Sequence, residues 1–169
     1  MTQLTGSPAD QDPSSLKDSM QGSCLCGSIT VKVTLPGLFD NPIGHICHCY
    51  NCRQSSGASG MNILTVPTPN LTYTDSKNYL KTYNDTNTGS GNTVARSFCS
   101  NCGSTIGCLP VLSAPQLSMV ALGLFPRIPV PEFEVFTKHR QSWLKPAARE
   151  EDQCDFAEEF PKYVGKYLQ

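Results

Sequence analysis

The chain has 169 residues and a formal charge of −1, from 13 Lys+Arg against 14 Asp+Glu. That length suits one domain with tails, and the charge balance excludes a protein built mainly to coat nucleic acid or an anionic membrane. Thirteen Gly and thirteen Pro leave little room for long helices, and nine cysteines, seven of them in tight groups, are the compositional outlier.

Residues 1–21, rich in Ser, Asp, Pro, Thr and Gln without an apolar period, read as a disordered tail. They carry no basic-then-apolar export signal, and no apolar run approaches the ~20 residues of a membrane-spanning helix. A reducing, cytoplasmic location is therefore expected, and there clustered cysteines point to metal or catalysis before disulfides. Residues 22–148 read as the folded domain and 149–169 as a C-terminal extension.

Within the domain the pattern is that of short strands. Ser28 to Thr34 alternates with period two and is β-branched; Pro36-Gly37 ends it. His45 to Tyr50 reads as a second strand, and the small residues Ser55 to Gly60 as a loop. Further strands are expected at Asn62–Val66, Leu71–Thr74, Tyr79–Tyr83, Thr93–Phe98, Ser104–Leu109, Leu117–Leu122 and Phe133–Thr137, with a polar hairpin loop at Asn84–Asn92. Many short strands punctuated by turn signals predict a mainly β domain. In the last segment Phe156, Phe160, Tyr163 and Tyr167 follow a four-three-four spacing, which predicts a short helical segment interrupted at Pro161.

The seven clustered cysteines fall into Cys24-Leu25-Cys26, Cys47-His48-Cys49-Tyr50-Asn51-Cys52 and Cys99-Ser100-Asn101-Cys102, the last followed by Gly103. In a Cys-x-x-Cys-Gly turn two thiolates converge on one ion, and glycine supplies the positive φ that closes the turn. On a strand, Cys-x-Cys does the same by alternation, so Cys24 shares a face with Cys26, and Cys47 with Cys49. A structural zinc site is closed by four protein ligands, whereas a catalytic one uses three and keeps a position open. Seven ligands thus divide as four plus three: Cys24, Cys26, Cys99 and Cys102 for a structural zinc, with Cys47, Cys49 and Cys52 for an open one. Spacing alone leaves open the other pairing, in which Cys99 and Cys102 join the middle group. It also leaves open two closed sites with a histidine as eighth ligand. By strand alternation His45 faces the same side as Cys47, while His48 points the other way. An iron–sulfur cluster fits less well, because the spacings match neither common ferredoxin run. Cys108 and Cys154 stand apart and read as ordinary thiols.

Gly22-Ser23-Cys24-Leu25-Cys26-Gly27, Cys47 to Arg53, Gly57-Ala58 and Arg96 to Ser104 together resemble the glutathione-dependent formaldehyde-activating enzyme family, which also includes centromere protein V. The resemblance covers about residues 22–144. It implies a β-tent of small antiparallel sheets around two zinc ions and the same four-plus-three division of ligands. It also implies carbon–sulfur lyase chemistry on a glutathione adduct such as S-hydroxymethylglutathione. The sequence departs from the family's pattern at Gln54, which follows Arg53, and at Gly123-Leu124-Phe125-Pro126-Arg127; both lie where a substrate could be read. Glutathione carries two carboxylates, so a cationic rim is expected, with Arg53 and Arg96 as first candidates. Trp143, after the basic group Lys138-His139-Arg140, is a candidate wall of the pocket. Two further functions share the residues: a tailoring lyase or isomerase of specialised metabolism using the same zinc, and a zinc-stabilised interaction module. The expected partner is a small molecule, not nucleic acid or membrane.

Overall fold

The computed structural model describes residues 17–40, 43–109 and 111–155. The expected helix around Phe156 to Tyr167 lies outside them. The described chain is mainly β, as its alternation predicts, with eleven strands and one short α-helix.

Strands β1 (Ser19–Ser23), β2 (Ile29–Thr34) and β5 (Leu71–Asp75) form a three-stranded antiparallel sheet in the order β1-β2-β5. The first strand begins at Ser19, inside the segment read as a tail, because it hydrogen-bonds along β2 from Ser19↔Thr34 to Ser23↔Thr30. The other strands are β3 (His45–Cys47), β4 (Met61–Pro67), β6 (Leu80–Asp85), β7 (Val94–Cys99), β8 (Thr105–Cys108), β9 (Leu117–Ala121), β10 (Phe133–Val135) and β11 (Gln153–Cys154). They form an eight-stranded sheet ordered β11-β10-β3-β4-β9-β8-β7-β6. Most pairings in it are antiparallel, and β10 runs parallel to both β3 and β11. The Asp75 carboxylate accepts the N–H groups of Tyr79 (3.0 Å) and Leu80 (2.8 Å), pinning the turn where the chain leaves one sheet for the other.

Alternation divides the large sheet between two environments. Leu64 and Val66 of β4, Ile106 of β8 and Val120 of β9 join Ile29, Val31 and Val33 of β2 in the main core. Met61, Ile63, Leu117 and Met119, one position out of phase with these on β4 and β9, line a cavity instead. Close packing at the joint between the sheets depends on Gly22, where a Cβ would fall 2.2 Å from the carbonyl oxygen of Leu124. The Gly123-Leu124-Phe125 turn, expected near substrate, packs here: Phe125 is buried in the main core.

His45–Tyr50 is not one strand. It stops at Cys47, and a helix, α1 (Tyr50–Ser56), follows. Cys49 is its N-cap, its Sγ accepting the Cys52 N–H (3.3 Å), and Gly57 closes it at φ 67 with its N–H on the Arg53 carbonyl. At under two turns, α1 is too short to show helical periodicity.

Among the described residues the most deeply buried charge is Glu134 on β10, 1% exposed. Its Oε2 meets His48 Nε2 (2.6 Å) and accepts from Arg140 Nη1 (3.0 Å), while its Oε1 accepts the N–H groups of Ala147 and Ala148. Burial pushes the carboxyl up, and the donors of Ala148, His48, Ala147 and Arg140 together more than reverse this, holding it below its ordinary value. A folded value below the unfolded one makes its contribution complete above the unfolded pKa of about 4.3 and lost as pH falls through the lower folded value. Glu134→Gln should cost about 3 kcal/mol at neutral pH. In urea unfolding, the gap between wild type and variant should hold down to about pH 4.5 and narrow below it. A gap that is constant into the acid range would show that the carboxylate is not the source.

Candidate metal centres

Two of the cysteine pairs are built on turns. Cys24 and Cys26 lie in the β1–β2 connection, not on a strand as alternation implied: the Gly27 N–H reaches the Cys24 carbonyl (2.9 Å), and the Ile29 N–H reaches Cys24 Sγ (3.3 Å). Cys99 and Cys102 occupy the β7–β8 turn as expected, closed by Gly103 at φ 75 with its N–H on the Cys99 carbonyl (2.8 Å). Ser104 Oγ, accepting the Leu25 N–H (3.1 Å), ties one turn to the other.

The sulfurs of Cys24, Cys26, Cys99 and Cys102 lie within 4.8 Å of one another, and so do those of Cys47, Cys49 and Cys52. Of the pairings the spacing left open, this is the four-plus-three division. All nine cysteines are free thiols. Four thiolates at about 2.3 Å around a tetrahedral zinc stand about 3.8 Å apart. Cys24–Cys26 at 3.5 Å and Cys26–Cys99 at 3.8 Å match that spacing, far outside disulfide distance. The donor set therefore fits a zinc ion.

Ionisation within each cluster is unequal. Hydrogen bonds from Ser28 and then Asn101 hold the Cys26 thiol down at about 5, whereas burial pushes Cys99 up to about 11. In the other cluster, hydrogen bonding from Cys47 and Cys52 holds Cys49 far below the thiol range, and the same bonds, with burial, push Cys47 up.

The three-sulfur cluster borders a cavity of about 380 Å³. Neither histidine joins either cluster. His45 lines the cavity, its ring stacked on Phe133 at 4.9 Å, and burial lowers its pKa to about 3, so it is neutral. His48 points away toward Glu134, as strand alternation predicted. Arg96 on β7 lines the cavity: its Nη1 lies 3.8 Å from Cys52 Sγ and its Nε donates to Asp85 Oδ2 (2.8 Å). Asn51 Nδ2 donates to the same Asp85 oxygen (2.9 Å) and to the Asn87 carbonyl (2.8 Å). It thereby ties α1 to the β6–β7 loop that lines the cavity through Thr88, Ser90 and Asn92.

The other expected contacts lie elsewhere. Arg53 sits on α1 with its guanidinium 5.4 Å from the Tyr50 ring centroid and its Nε buried without a hydrogen-bond partner; it does not line the cavity. Trp143, expected as a pocket wall, is 70% exposed and does not line it. Gln54 is exposed. The two remaining thiols lie nearby: Cys108 is part of the cavity lining, its thiol pushed up to about 11 by burial, and Cys154 is buried in the same apolar cluster as Cys47 and Cys52. Asn51 and Asp85 were missed because each looks like an ordinary turn residue. Hairpin register held the signal: with Tyr83 opposite Arg96, Asp85 is its diagonal neighbour on the same face.

The sequence pattern of the family described as "Glutathione-dependent formaldehyde-activating enzyme" matches residues 19–139. A Halomonas elongata protein named "Putative glutathione-dependent formaldehyde-activating enzyme" is 26% identical over 139 residues, covering 80% of this chain and 85% of that protein. A crystal structure of a Rhodobacter sphaeroides protein is 25% identical and covers 62% of this chain and 86% of its own, with a TM-score of 0.47. This chain belongs to the glutathione-dependent formaldehyde-activating enzyme family.

The two clusters should respond differently to loss of one sulfur. Cys99→Ser should yield unfolded or insoluble protein, because a closed zinc site supplies folding free energy. Cys52→Ser should fold, keep one zinc per chain and lose the second. Metal analysis alongside circular dichroism checks both, and equal folding defects would refute the division.

Proposed function

We propose that this chain makes and breaks the carbon–sulfur bond between the thiol of glutathione and an aldehyde carbon, a carbon–sulfur lyase activity dependent on zinc. Cys24, Cys26, Cys99 and Cys102 would hold a structural zinc, and Cys47, Cys49 and Cys52 a second. The observation that carries the reading is that the second cluster supplies three sulfurs, not four, and borders a cavity. A zinc ion held by three thiolates supplies a Lewis acid with one open position, suited to keeping a thiol ionised or polarising a carbonyl.

The reaction needs no oxidant. The S–H bond of the thiol breaks and its proton ends on the carbonyl oxygen; the sulfur electron pair forms the new bond to carbon as the C=O π bond opens. Reversal releases both reactants. Because such addition is intrinsically easy, the protein's contribution is mainly to hold the partners together. Arg96, beside Cys52 and fixed by Asp85, offsets negative charge gathered at the sulfurs. Asn51 holds Asp85 in place and anchors the overlying loop. Arg53, whose Nε has no hydrogen-bond partner, is the candidate to pair a glutathione carboxylate outside the cavity, since Arg96 is committed to Asp85. No described helix is long and apolar enough to cross a membrane, and seven ligand thiols that must stay reduced favour a cytoplasmic location.

Cobalt substitution tests the reading, since the visible spectrum of cobalt reports sulfur coordination. Saturating glutathione should shift the spectrum, and Arg53→Ala should weaken the apparent affinity about tenfold, or about 1.4 kcal/mol for one charge-assisted contact. An unmoved spectrum at saturation would reject the thiol as a ligand. A shift indifferent to Arg53 would move the carboxylate contact to another residue.

A further inference from the structure

We infer that the cavity beside the three-cysteine cluster is built for an uncharged, apolar carbon body, so that the electrophile this chain handles is an apolar aldehyde larger than formaldehyde. The inference rests on the thiol–carbonyl reading above and specifies its second reactant.

The cavity walls carry the argument. Met61 and Ile63 of β4, Leu117 and Met119 of β9, and Val135 and Phe136 at the end of β10 face a volume of about 380 Å³. That lies within the range of small-molecule sites, which are mostly apolar with a few placed polar groups. A one-carbon aldehyde has no surface with which to cover such walls. An alkyl or aryl aldehyde does, and each methylene it buries is worth about fourfold in affinity.

Charge points the same way. Arg96 is the sole Lys or Arg among the described lining residues, and it is already committed, with Nε 2.8 Å from Asp85 and Nη1 3.8 Å from Cys52 Sγ. The two carboxylates of glutathione would be stripped of water inside this space without a free cation to receive them. The β6–β7 loop offers a different surface: Thr88, Ser90, Asn92 and Thr93 line the cavity with neutral polar groups suited to a peptide. With the sulfur at the cysteine cluster and the peptide along this loop, the carbon attached to sulfur is left facing the apolar walls.

Phe136 is an independent sign that these walls are shaped for contact. It is one of two non-glycine residues at positive φ among those described, at φ 57 and ψ 44. An aromatic residue is disfavoured there by roughly 1 kcal/mol or more, and such strain concentrates at ligand sites. The conformation brings its ring against the β6–β7 loop, where a Cβ on Gly89 would stand 3.5 Å from Phe136 Cε1. The ring thus bridges the apolar wall and the polar loop, at the junction where the two halves of an adduct would meet.

The test uses the zinc-loaded full chain and two stable thioethers, S-methylglutathione and S-hexylglutathione, in isothermal titration calorimetry. The hexyl compound should bind at least tenfold tighter. Met119→Lys and Phe136→Ala should each cut that preference to threefold or less while zinc content stays at two per chain. Should Met119→Lys lose zinc or fold poorly, Phe136→Ala on the half-buried rim position decides. Equal affinities in the wild type would overturn the inference, and so would a hexyl preference that survives both variants. Neither result touches the glutathione reading, which fails only if glutathione leaves the cobalt spectrum unmoved.

Discussion

Thiolates gathered within a few ångströms of one another repel, and a fold that collects seven of them in two places must leave most protonated or neutralise them with cations. Among the sulfurs themselves the charge is shared unequally: Cys49 is held far down while Cys47 is pushed up, and Cys26 is held down while Cys99 is pushed up to about 11. A divalent ion reverses this by making every sulfur a thiolate at once, so the free energy of metal binding becomes free energy of folding. The four-sulfur cluster shows where that energy is applied. One pair comes from the β1–β2 turn of the small sheet and the other from the β7–β8 turn of the large one. The ion would therefore clasp two sheets that otherwise meet through the main core and the close contact at Gly22. On the proposed division, loss of this ion would undo the docking of the sheets, so its ligands would belong to the fold and those of the other cluster to the site.

The large sheet separates the two tasks by strand alternation. Its residues in one phase bury against the small sheet, and those in the other phase form the cavity wall. β10 reinforces the second side from beneath, because Glu134 collects His48, Arg140 and two backbone N–H groups within the protein. His48 stands between two cluster cysteines, so this buried network holds the segment that carries Cys47 and Cys49.

Much of this was legible in the sequence, for physical reasons. The β-branched alternation of Ile29 to Thr34 and the Cys-x-x-Cys-Gly turn at Cys99 are local signals, and both formed as read. Grouping of the seven sulfurs followed from metal stoichiometry. What was misread depended on tertiary context. Cys24 and Cys26 converge through a turn and not through alternation, and Cys52 arrives on a helix of under two turns capped by a cysteine. Neither has a period long enough to detect. Arg53 and Arg96 were both expected at the site; the β6–β7 hairpin brings Arg96 to Cys52, whereas Arg53 lies outside the cavity. Glu134 reads as a polar residue in a short strand, and only the parallel pairing of β10 with both β3 and β11 buries it.

The sulfur ligands and the cavity walls come from different parts of the chain, and this has a consequence for how the scaffold relates to its substrates. The cysteines sit in turns and at the ends of β3 and α1, where a bound ion would constrain spacing and backbone geometry. The walls come from side chains on β4, β9 and β10, where any residue that keeps the alternation keeps the sheet. Exchange of Met61, Ile63 or Met119 for other apolar side chains therefore reshapes the space beside the ion without disturbing its coordination. On the proposed function, the work divides between two separable sets of residues: one would fix which bond is handled, and the other the carbon body attached to it.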